Sequence, residues 1–484
     1  MQYIFLGILV ICGLMWAAAQ LTLEDPVRRA VERQIDDADR AEAIDVDALT
    51  VLTWSTDPNP ARRVQSEVFL EHYPGLAVVR DPGDMTKLIV RAATGTGPDI
   101  IDTWSAAHMA TLVEAGILLD LTPYAEQMGI GPDATYPAMA DGLMYEGRQY
   151  RFPCNVWAST VIYNKRLFDE LNLPYPQPEW TYEQLGELAV QIRERSAAQG
   201  RRIIPVANWE NTIFFEDLLA GHGATLFDAD GLRSTLDHPE AIAALQTYQR
   251  LMFHHRALPP PAEMASLASQ GGWGAGGLNL FFSERAAMIF IGRWVTVMLP
   301  DHPDLDPANL ATVTVPRAGN RPPQVVGRAR GAAINAASPN REAALAFLQY
   351  LASEEYGQLI VNDGDGLPPN PNLARDGDDL TNTLVPEAGF HDAFITALET
   401  SRSLDLSPFI EIGTTERILR DAVEYVENGR DPETVLHAAA DEINQRIRQN
   451  LRRRPDLQRK FEQVTGQPYT ERWWTSDRPG SVVQ

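Results

Sequence analysis

Tryptophan is the side chain of this sequence best suited to bind a small molecule by contact, because several of the ten tryptophans lie where polar residues are expected. Trp54 and Trp104 follow predicted strands, and Trp273 lies in the glycine-rich loop at 271–277. Aromatic faces pack on patches of C–H bonds, while carboxylates, amides and guanidinium groups bond a rim of hydroxyls. The pattern therefore indicates a carbohydrate site. The alternative at each position is an aromatic residue of the core or its rim.

Motifs for catalysis and for cofactor or metal binding do not occur in the sequence: HExxH, paired CxxC, GxxxxGK[ST] and GxSxG are all missing. The loop at 271–277 fits GxGxxG, but no strand precedes it, as a dinucleotide site requires. Residues 228–231 favour a tight turn over a calcium loop. His254 and His255 are adjacent, so on a helix their side chains point about 100° apart. We expect no enzyme, no cofactor and no metal.

The elements that would position Trp54 and Trp104 are predicted by the pattern from 49 to 103. Short β-branched runs alternate with helical periodicity, which predicts strands at 49–54, 76–80 and 99–103 and helices at 61–72 and 86–93. A βαβαβ unit forms a parallel sheet covered by helices. Ligands bind beyond the carboxyl ends of such strands. Trp54, Asp57 and Trp104 are therefore candidate ligand contacts.

A second set of local signals lies between Ala158 and Leu185, in the run ASTVIYNKRLFDELNLPYPQPEWTYEQL. Residues 159–163 favour a buried strand, and the apolar spacing of 165–172 predicts a short amphipathic helix. Three prolines end that helix. Thr181 and Gln184 then form a capping-box pattern, which predicts the start of another helix.

This run resembles the extracellular solute-binding proteins of ABC importers, family 1. Five other segments agree in order with that family: GTGPDIIDTW, EAGILLDLTPYAE, FDADGLRSTLDHPEAI, FSERAAMIFIGRW and RGAAINAASPNREAALAFLQYLAS. The resemblance covers roughly residues 48–450. It implies an α/β, two-lobed periplasmic-binding-protein fold of type II, with discontinuous lobes, a hinge and an interlobe cleft.

The resemblance also implies the division of the chain. Lobe 1 is expected at 48–158 plus 322–366, and lobe 2 at 159–321 plus 367–450. The chain would cross between lobes near 156–160, 322–330 and 363–372. The sequence NDGDG at 362–366 could absorb the change in backbone dihedrals there.

Further candidate contacts follow from the resemblance. Trp294 closes the family block IGRW, in which this tryptophan stacks on the ligand, and Trp157 lies at the lobe junction, where maltose-binding protein has an acidic residue. Trp209 and Asn211 occupy the position of second-lobe contacts. Arg330 lies at the return between lobes, where pairing with a carboxylate is the alternative.

Composition limits the classes of partner. The net charge is −24, so no basic footprint for nucleic acid dominates. The two cysteines are Cys12 and Cys154, and Cys12 lies in the apolar N-terminal run. If that run is removed, no intramolecular disulfide is possible.

The two ends of the chain lie outside the region of resemblance. Residues 1–19 are a signal peptide or a membrane anchor, because the apolar run ends in three alanines but lacks basic residues before it. Residues 20–47 are a charged spacer. The extension 451–484 either packs on a lobe or docks on a membrane partner. We expect a periplasmic or extracytoplasmic location, with anchoring through the N-terminal segment left open.

The resemblance implies a monomeric binding component that delivers a carbohydrate, in particular an oligosaccharide, to the permease subunits of an ABC transporter. Two alternatives remain open: a membrane-tethered sugar sensor or scaffold, and a carbohydrate-active enzyme. Peptides, polyols and glycerophosphodiesters also occur as ligands in the family.

Overall fold

The computed structural model describes residues 49–59, 61–81, 85–93, 95–208, 210–259, 261, 264 and 276–474. Two compact units are present: unit 1 contains residues up to 102, 115–119 and 332–350, and unit 2 contains 103–114, 120–331 and the rest from 351. The predicted signal peptide or anchor at 1–19 and the spacer at 20–47 lie outside the described residues. The lobe boundaries stay a prediction.

Unit 1 is the predicted βαβαβ arrangement. It contains β1 (Thr50–Ser55), α1 (Ala61–His72), β2 (Leu76–Asp81), α2 (Met85–Ala93) and most of β3 (Ile100–Thr103). β1 pairs in parallel with β2 from Thr50↔Leu76 onward and with β3 at Trp54↔Ile100. The strand order is β2-β1-β3, followed by β11 (Arg328–Ile334), whose residues from 332 belong to this unit. Apolar residues on both faces of β2 are buried, as in a sheet covered by helices, whereas the fully buried apolar residues of β1, Leu52 and Trp54, share one face.

Unit 2 is built on a four-stranded mixed sheet of order β10-β7-β9-β8. Its strands are β7 (Thr160–Asn164), β8 (Ile204–Asn208), β9 (Ala286–Ile291) and β10 (Leu310–Val313). β9 runs antiparallel to β7 and parallel to β8, with registers Thr160↔Ile291 and Ile204↔Ala286. The unit also holds the hairpin of β4 (Met144–Tyr145) and β5 (Arg148–Gln149), and β6 (Phe152–Trp157) beside β11.

The remaining α-helices belong to unit 2, except the one at Arg341–Leu351, which lies almost entirely in unit 1. In chain order they are α3 (Ala106–Glu114), α4 (Thr122–Met128), α5 (Pro137–Ala140), α6 (Lys165–Glu170), α7 (Tyr182–Ala198), α8 (Asn211–Gly221), α9 (Pro239–Gln249), α10 (Gly277–Phe282), α11 (Arg341–Leu351), α12 (Glu354–Asp363), α13 (Ala388–Glu399), α14 (Ile412–Glu427), α15 (Pro432–Arg453) and α16 (Pro455–Thr465). A π-helix, Arg250–His254, follows α9, and a 3-10 helix, Arg293–Asp301, follows β9. Among the described residues, no helix is both long and apolar enough to span a bilayer.

The segment from 158 to 185 folds as its local signals predict. Asn164 ends β7 and accepts a hydrogen bond from the Leu167 amide, which begins α6. The Thr181 hydroxyl accepts from the Gln184 amide, and the Gln184 side chain accepts from the Thr181 amide. This capping box satisfies two backbone donors at the start of α7.

The C-terminal extension packs on unit 2 over its described residues. Phe461 is buried, with the rings of Tyr469 and Trp473 at 5.3 and 5.4 Å. The Arg233 guanidinium lies 4.8 Å from the Trp473 ring centroid and 5.4 Å from that of Trp474. The hypothesis that this extension docks on a membrane partner stays untested, and residues 475–484 lie outside the described part.

Candidate functional site

Two of the predicted tryptophans meet in unit 2. Trp157 is the last residue of β6 and is half-buried, and Trp294 lies near the start of the 3-10 helix that follows β9. Their ring centroids are 6.2 Å apart with an interplanar angle of 75°, an edge-to-face contact. This geometry is favourable for two quadrupoles. We call this pair of rings the aromatic platform.

Gly292 permits this contact because it has no side chain. A Cβ atom there would lie 2.8 Å from Trp157 Cε3 and 2.9 Å from Trp294 Cδ1. The backbone is extended, with φ −85° and ψ 165°, so space and not dihedral angle requires glycine. The sequence IGRW at 291–294 thus contains both Trp294 and the glycine that allows its ring to contact Trp157.

Arg328, at the start of β11, lies against the same platform. Its Cζ atom is 5.2 Å from the Trp157 ring centroid, within the range of a cation–π contact. Nη2 donates to Glu216 Oε2 and Nη1 to Asp217 Oδ1, both at 2.9 Å. Both carboxylates lie on α8, and all three side chains are at most 11% exposed. One guanidinium thus joins two buried carboxylates to the ring of Trp157.

Glu216 is placed to change its charge near neutral pH. Burial raises the pKa of its carboxyl to about 7, while the neighbouring Arg328 limits the rise and Asp217 and Glu416 add to it. A carboxyl group in an apolar setting favours its neutral form, which an adjacent cation opposes.

Glu416 of α14 extends this polar set toward the predicted residue Trp104. It accepts a hydrogen bond from Ser105, and burial is the main cause of its raised pKa. Helix α14 packs on both α3 and α8, so the carboxylate of Glu416 is near Ser105 and also near Glu216. Trp104, next to Ser105, is 47% exposed, the most open tryptophan of the described chain.

Asn211 joins a separate polar cluster at the start of α8. Its amide donates to Glu427, accepts from Asn208 at 2.6 Å, and shares the Glu427 carboxylate with the hydroxyl of Tyr248. Asn211 lies five residues before Glu216 on the same helix.

Arg330 and Arg293 have structural roles within unit 2. Arg330 is 3% exposed; its Nη2 donates to the Tyr356 hydroxyl at 3.1 Å and lies 3.9 Å from Asp365 Oδ2. Arg293 donates from all three nitrogens, to His391 and to carbonyls of the segment 360–366 and Leu380. The alternative considered for Arg330, pairing with a carboxylate, is the one found.

Trp54 and Asp57 have different surroundings in unit 1. Trp54 is completely buried; its indole donates to Asp102 at 2.8 Å and its ring packs edge-on against Phe347. Asp57 accepts from the buried Arg62 at 2.8 Å. A ring with no exposed surface has no face left for a ligand, so Trp54 belongs to the core here. Trp209 and Trp273 lie outside the described residues.

Sequence reasoning missed Arg328, Glu216 and Asp217. Signals for them were present: α8 carries two adjacent carboxylates in an otherwise apolar run, IFFEDLLAG, and such charges need a partner when buried. Arg328 and Arg330 alternate on one strand, and only the second was considered. Within the described ranges no group of three His, Cys, Asp or Glu side chains could hold a metal ion.

Fold and site together define a binding protein, with an aromatic and polar surface on a mixed α/β scaffold. Residues 56–358 match the model of the bacterial extracellular solute-binding proteins. This match covers more than half of the chain, so the chain belongs to that family. Members of the family are binding proteins found outside the cytoplasm.

Relatives of known ligand are similar to this chain over most of their length. The mannitol-binding protein of Pseudomonas aeruginosa is 26% identical over 342 residues, 68% of this chain and 74% of that protein. The diacetylchitobiose binding protein of Streptomyces coelicolor is 22% identical over 76% of this chain and 81% of that protein.

Solved structures agree on the fold. A substrate-binding protein from Listeria monocytogenes, in complex with cycloalternan, matches with a TM-score of 0.68 at 22% identity, over 82% of this chain and 98% of that one. The maltose/maltodextrin-binding domain from Bdellovibrio bacteriovorus matches with a TM-score of 0.63 at 17% identity, over 84% of this chain and 99% of that one. The predicted α/β two-lobed periplasmic-binding-protein fold is confirmed.

Proposed function

We propose that this protein binds a carbohydrate outside the cytoplasm and delivers it to the permease subunits of an ABC importer, without chemical conversion. The observation that supports this most directly is the edge-to-face pair of Trp157 and Trp294 with Arg328 beside it. Fixed aromatic faces beside charged hydrogen-bonding groups suit the C–H patches and hydroxyl rims of sugars.

An oligosaccharide is the proposed ligand, with a polyol as the second candidate. The relatives of this chain are named for galactooligosaccharide, maltotriose and diacetylchitobiose, and one for mannitol. All four ligands are uncharged polyhydroxy compounds. Trp157 has an aromatic ring at the position where maltose-binding protein has an acidic residue, so the exact sugar contacts of that protein are not proposed for this chain.

The proposed site includes Trp104, Trp157, Trp294 and Asn211 as candidate contacts, with Trp209 and Trp273 as sequence-based candidates. The protein is proposed to act as a monomer, and to be periplasmic or held at the outer face of the membrane by residues 1–19. Binding would favour the ligand-bound conformation by its higher affinity for that state. The permease would then select that conformation.

A thermal-shift screen of the purified chain tests this proposal. The panel contains mannitol, maltotriose, diacetylchitobiose and galactooligosaccharides, with amino acids and a dipeptide mixture as the opposing class. A ligand at ~100 times its dissociation constant adds about 2.7 kcal/mol of stability, which a melting curve resolves. A shift by amino acids or peptides alone would overturn the carbohydrate proposal.

Trp294 provides the second test, with Trp180 as the matched control. Both are buried, at 9% and 6% exposure, and the Trp180 indole donates to the Thr314 carbonyl at 2.8 Å. We expect Trp294→Ala to weaken saccharide binding by at least ~1 kcal/mol through loss of the aromatic face. Trp180→Ala is expected to lower the melting temperature and leave the affinity of the folded protein unchanged. Titration calorimetry at low temperature measures the saccharide affinity of both variants. Equal affinities would show that Trp294 is a core residue and does not contact the ligand.

A further inference from the structure

Arg328 is the one described residue that contacts both the Trp157 ring and the carboxylate pair of α8. Its two terminal nitrogens each have two acceptors: Asp217 Oδ1 and the Val326 carbonyl for Nη1, Glu216 Oε2 and the Ile213 carbonyl for Nη2. Four N–H groups are therefore committed within the protein. The guanidinium plane is fixed before any ligand arrives.

We propose that Arg328 is a positioning residue for the ring of Trp157. Glu216 and Asp217 hold the Arg328 guanidinium in place, and this arrangement, which we call the lock, sets saccharide affinity. The inference rests on the proposed function and deepens it. Because four of its five N–H groups are engaged within the protein, the proposed role of Arg328 is to act through the indole.

The physical basis is preorganisation. A half-buried indole that can tilt loses rotational freedom when a sugar packs on it, and this loss opposes binding. A guanidinium held in one plane over the ring removes that freedom in advance. Lysine cannot replace it, because an ammonium group has no planar fork to engage two carboxylates at once.

Protonation of Glu216 weakens the lock without any substitution, because it removes the ion pair between Glu216 and Arg328. The charged groups that act on this carboxyl are Arg328 from β11, Asp217 from α8 and Glu416 from α14. Tyr248 of α9, the helix packed beside α8, bonds Glu427. When Glu216 becomes neutral, its ion pair with Arg328 is lost, and Asp217 is the one carboxylate of the pair that still holds the guanidinium, beside the Val326 and Ile213 carbonyls. The ring of Trp157 then gains freedom.

The first measurement needs no ligand. Tryptophan fluorescence of the full chain is recorded between pH 5 and 9 for wild type, Glu216→Gln and Trp157→Phe. We expect a step near neutral pH in wild type that is missing in both variants. If the fluorescence step persists in both variants, it does not come from titration of Glu216 or from the ring of Trp157. That result would overturn the proposed lock.

The second measurement uses mannitol, maltotriose and diacetylchitobiose as probes in calorimetry at pH 6 and pH 8. Arg328→Lys and Glu216→Gln are expected to bind roughly fivefold more weakly than wild type at pH 8, the order of a lost cation–π contact. Wild type is expected to weaken between pH 8 and pH 6, while Glu216→Gln stays constant. Arg430→Lys is the matched control, since Arg430 Cζ lies 4.3 Å over the exposed ring of Tyr425.

The outcomes separate this inference from the proposed function. If wild type binds none of the probes but shows the fluorescence step, the carbohydrate function fails and the lock stands. If wild type binds and both variants match it in affinity and pH dependence, the positioning role is wrong. Urea denaturation of each variant confirms folding, and Glu216→Gln keeps the size and shape of the side chain should Arg328→Lys fail to fold.

Discussion

Trp54 and Trp157 show how two tryptophans in similar sequence positions have different surroundings in the fold. Each lies at the carboxyl end of a strand, β1 in unit 1 and β6 in unit 2. Trp54 is fully buried and its indole N–H is bonded to Asp102. Trp157 is half-buried, and its neighbours are a second tryptophan and a guanidinium. The neighbours, and not the place in the strand, decide whether a ring has a face for a ligand.

Charged groups near the two rings differ in the same way. In unit 1, Asp57 and Arg62 form a simple pair, 2.8 Å apart, near the start of α1. In unit 2, one arginine serves two carboxylates and a ring, and one of those carboxyls has a pKa of about 7 because it is buried. Burial raises the pKa of Glu216 into the neutral range, so the charge of this cluster can change with pH. This contrast gives four predictions.

The largest expected effect separates the two tryptophans by stability. Trp54→Ala should lower the free energy of unfolding by ~3–5 kcal/mol, because it leaves a cavity beside Phe347 and removes the hydrogen bond from the indole to Asp102. Trp157→Ala should lower it by less than ~2 kcal/mol, since part of that ring already faces solvent. Urea denaturation at constant pH measures both. Equal losses would show that Trp157 is also a core residue.

The second prediction concerns the stability contributed by Glu216 as pH changes. Its folded pKa, about 7, is above the unfolded value of 4.5 because of burial. The folded state therefore binds the proton more tightly, and the stabilisation is complete below pH 4.5 and is lost as pH rises through 7. The difference is on the order of 3 kcal/mol.

Comparison with Glu216→Gln isolates this contribution. The unfolding free energy of the variant should lack the decline between pH 4.5 and 7 that wild type shows. Glu433→Gln is the control, because the Glu433 side chain is 62% exposed. The expected direction is opposite to that for affinity, which is highest at high pH. Parallel changes in stability and affinity would argue that Glu216 acts only on the fold.

Much of the fold could be predicted because its determinants are local. The capping box at Thr181 and the strand and helix runs of 49–103 each depend on a few neighbouring residues, and the structure matches them closely. Burial of a particular side chain depends on residues far along the chain. Trp54 packs on Phe347, nearly three hundred positions away, and no local pattern reports that contact.

The site was predicted in part for the same reason. The block IGRW carries both Gly292 and Trp294, so the resemblance located one ring and the space it needs. Arg328 was missed because its partners, Glu216 and Asp217, lie more than a hundred residues before it. Buried charges pair over such distances, and a single sequence does not show which carboxylate an arginine meets.

A third prediction tests the contact between the two rings of unit 2. Gly292→Ala places a methyl group less than 3 Å from both rings, so they must separate. Overpacking of this kind costs ~1–3 kcal/mol of stability, and saccharide affinity should fall with it. Gly389→Ala is the control, since a Cβ there has no heavy atom within 4 Å. Unchanged affinity in Gly292→Ala would mean that the edge-to-face geometry is not needed for binding.

The smallest expected effect belongs to Trp104. Its side chain is exposed, unlike that of Trp54, and it is not part of the ring pair that Trp157 forms with Trp294. Phe253 is the matched control because both side chains are 47% exposed. Removal of either should leave the free energy of unfolding within ~0.5 kcal/mol of wild type. If Trp104 offers a face to the saccharide, Trp104→Ala weakens binding by ~0.5–1 kcal/mol and Phe253→Ala does not. Equal affinities in calorimetry would confine the aromatic platform to Trp157 and Trp294, since an exposed ring contributes to binding only where a ligand covers it.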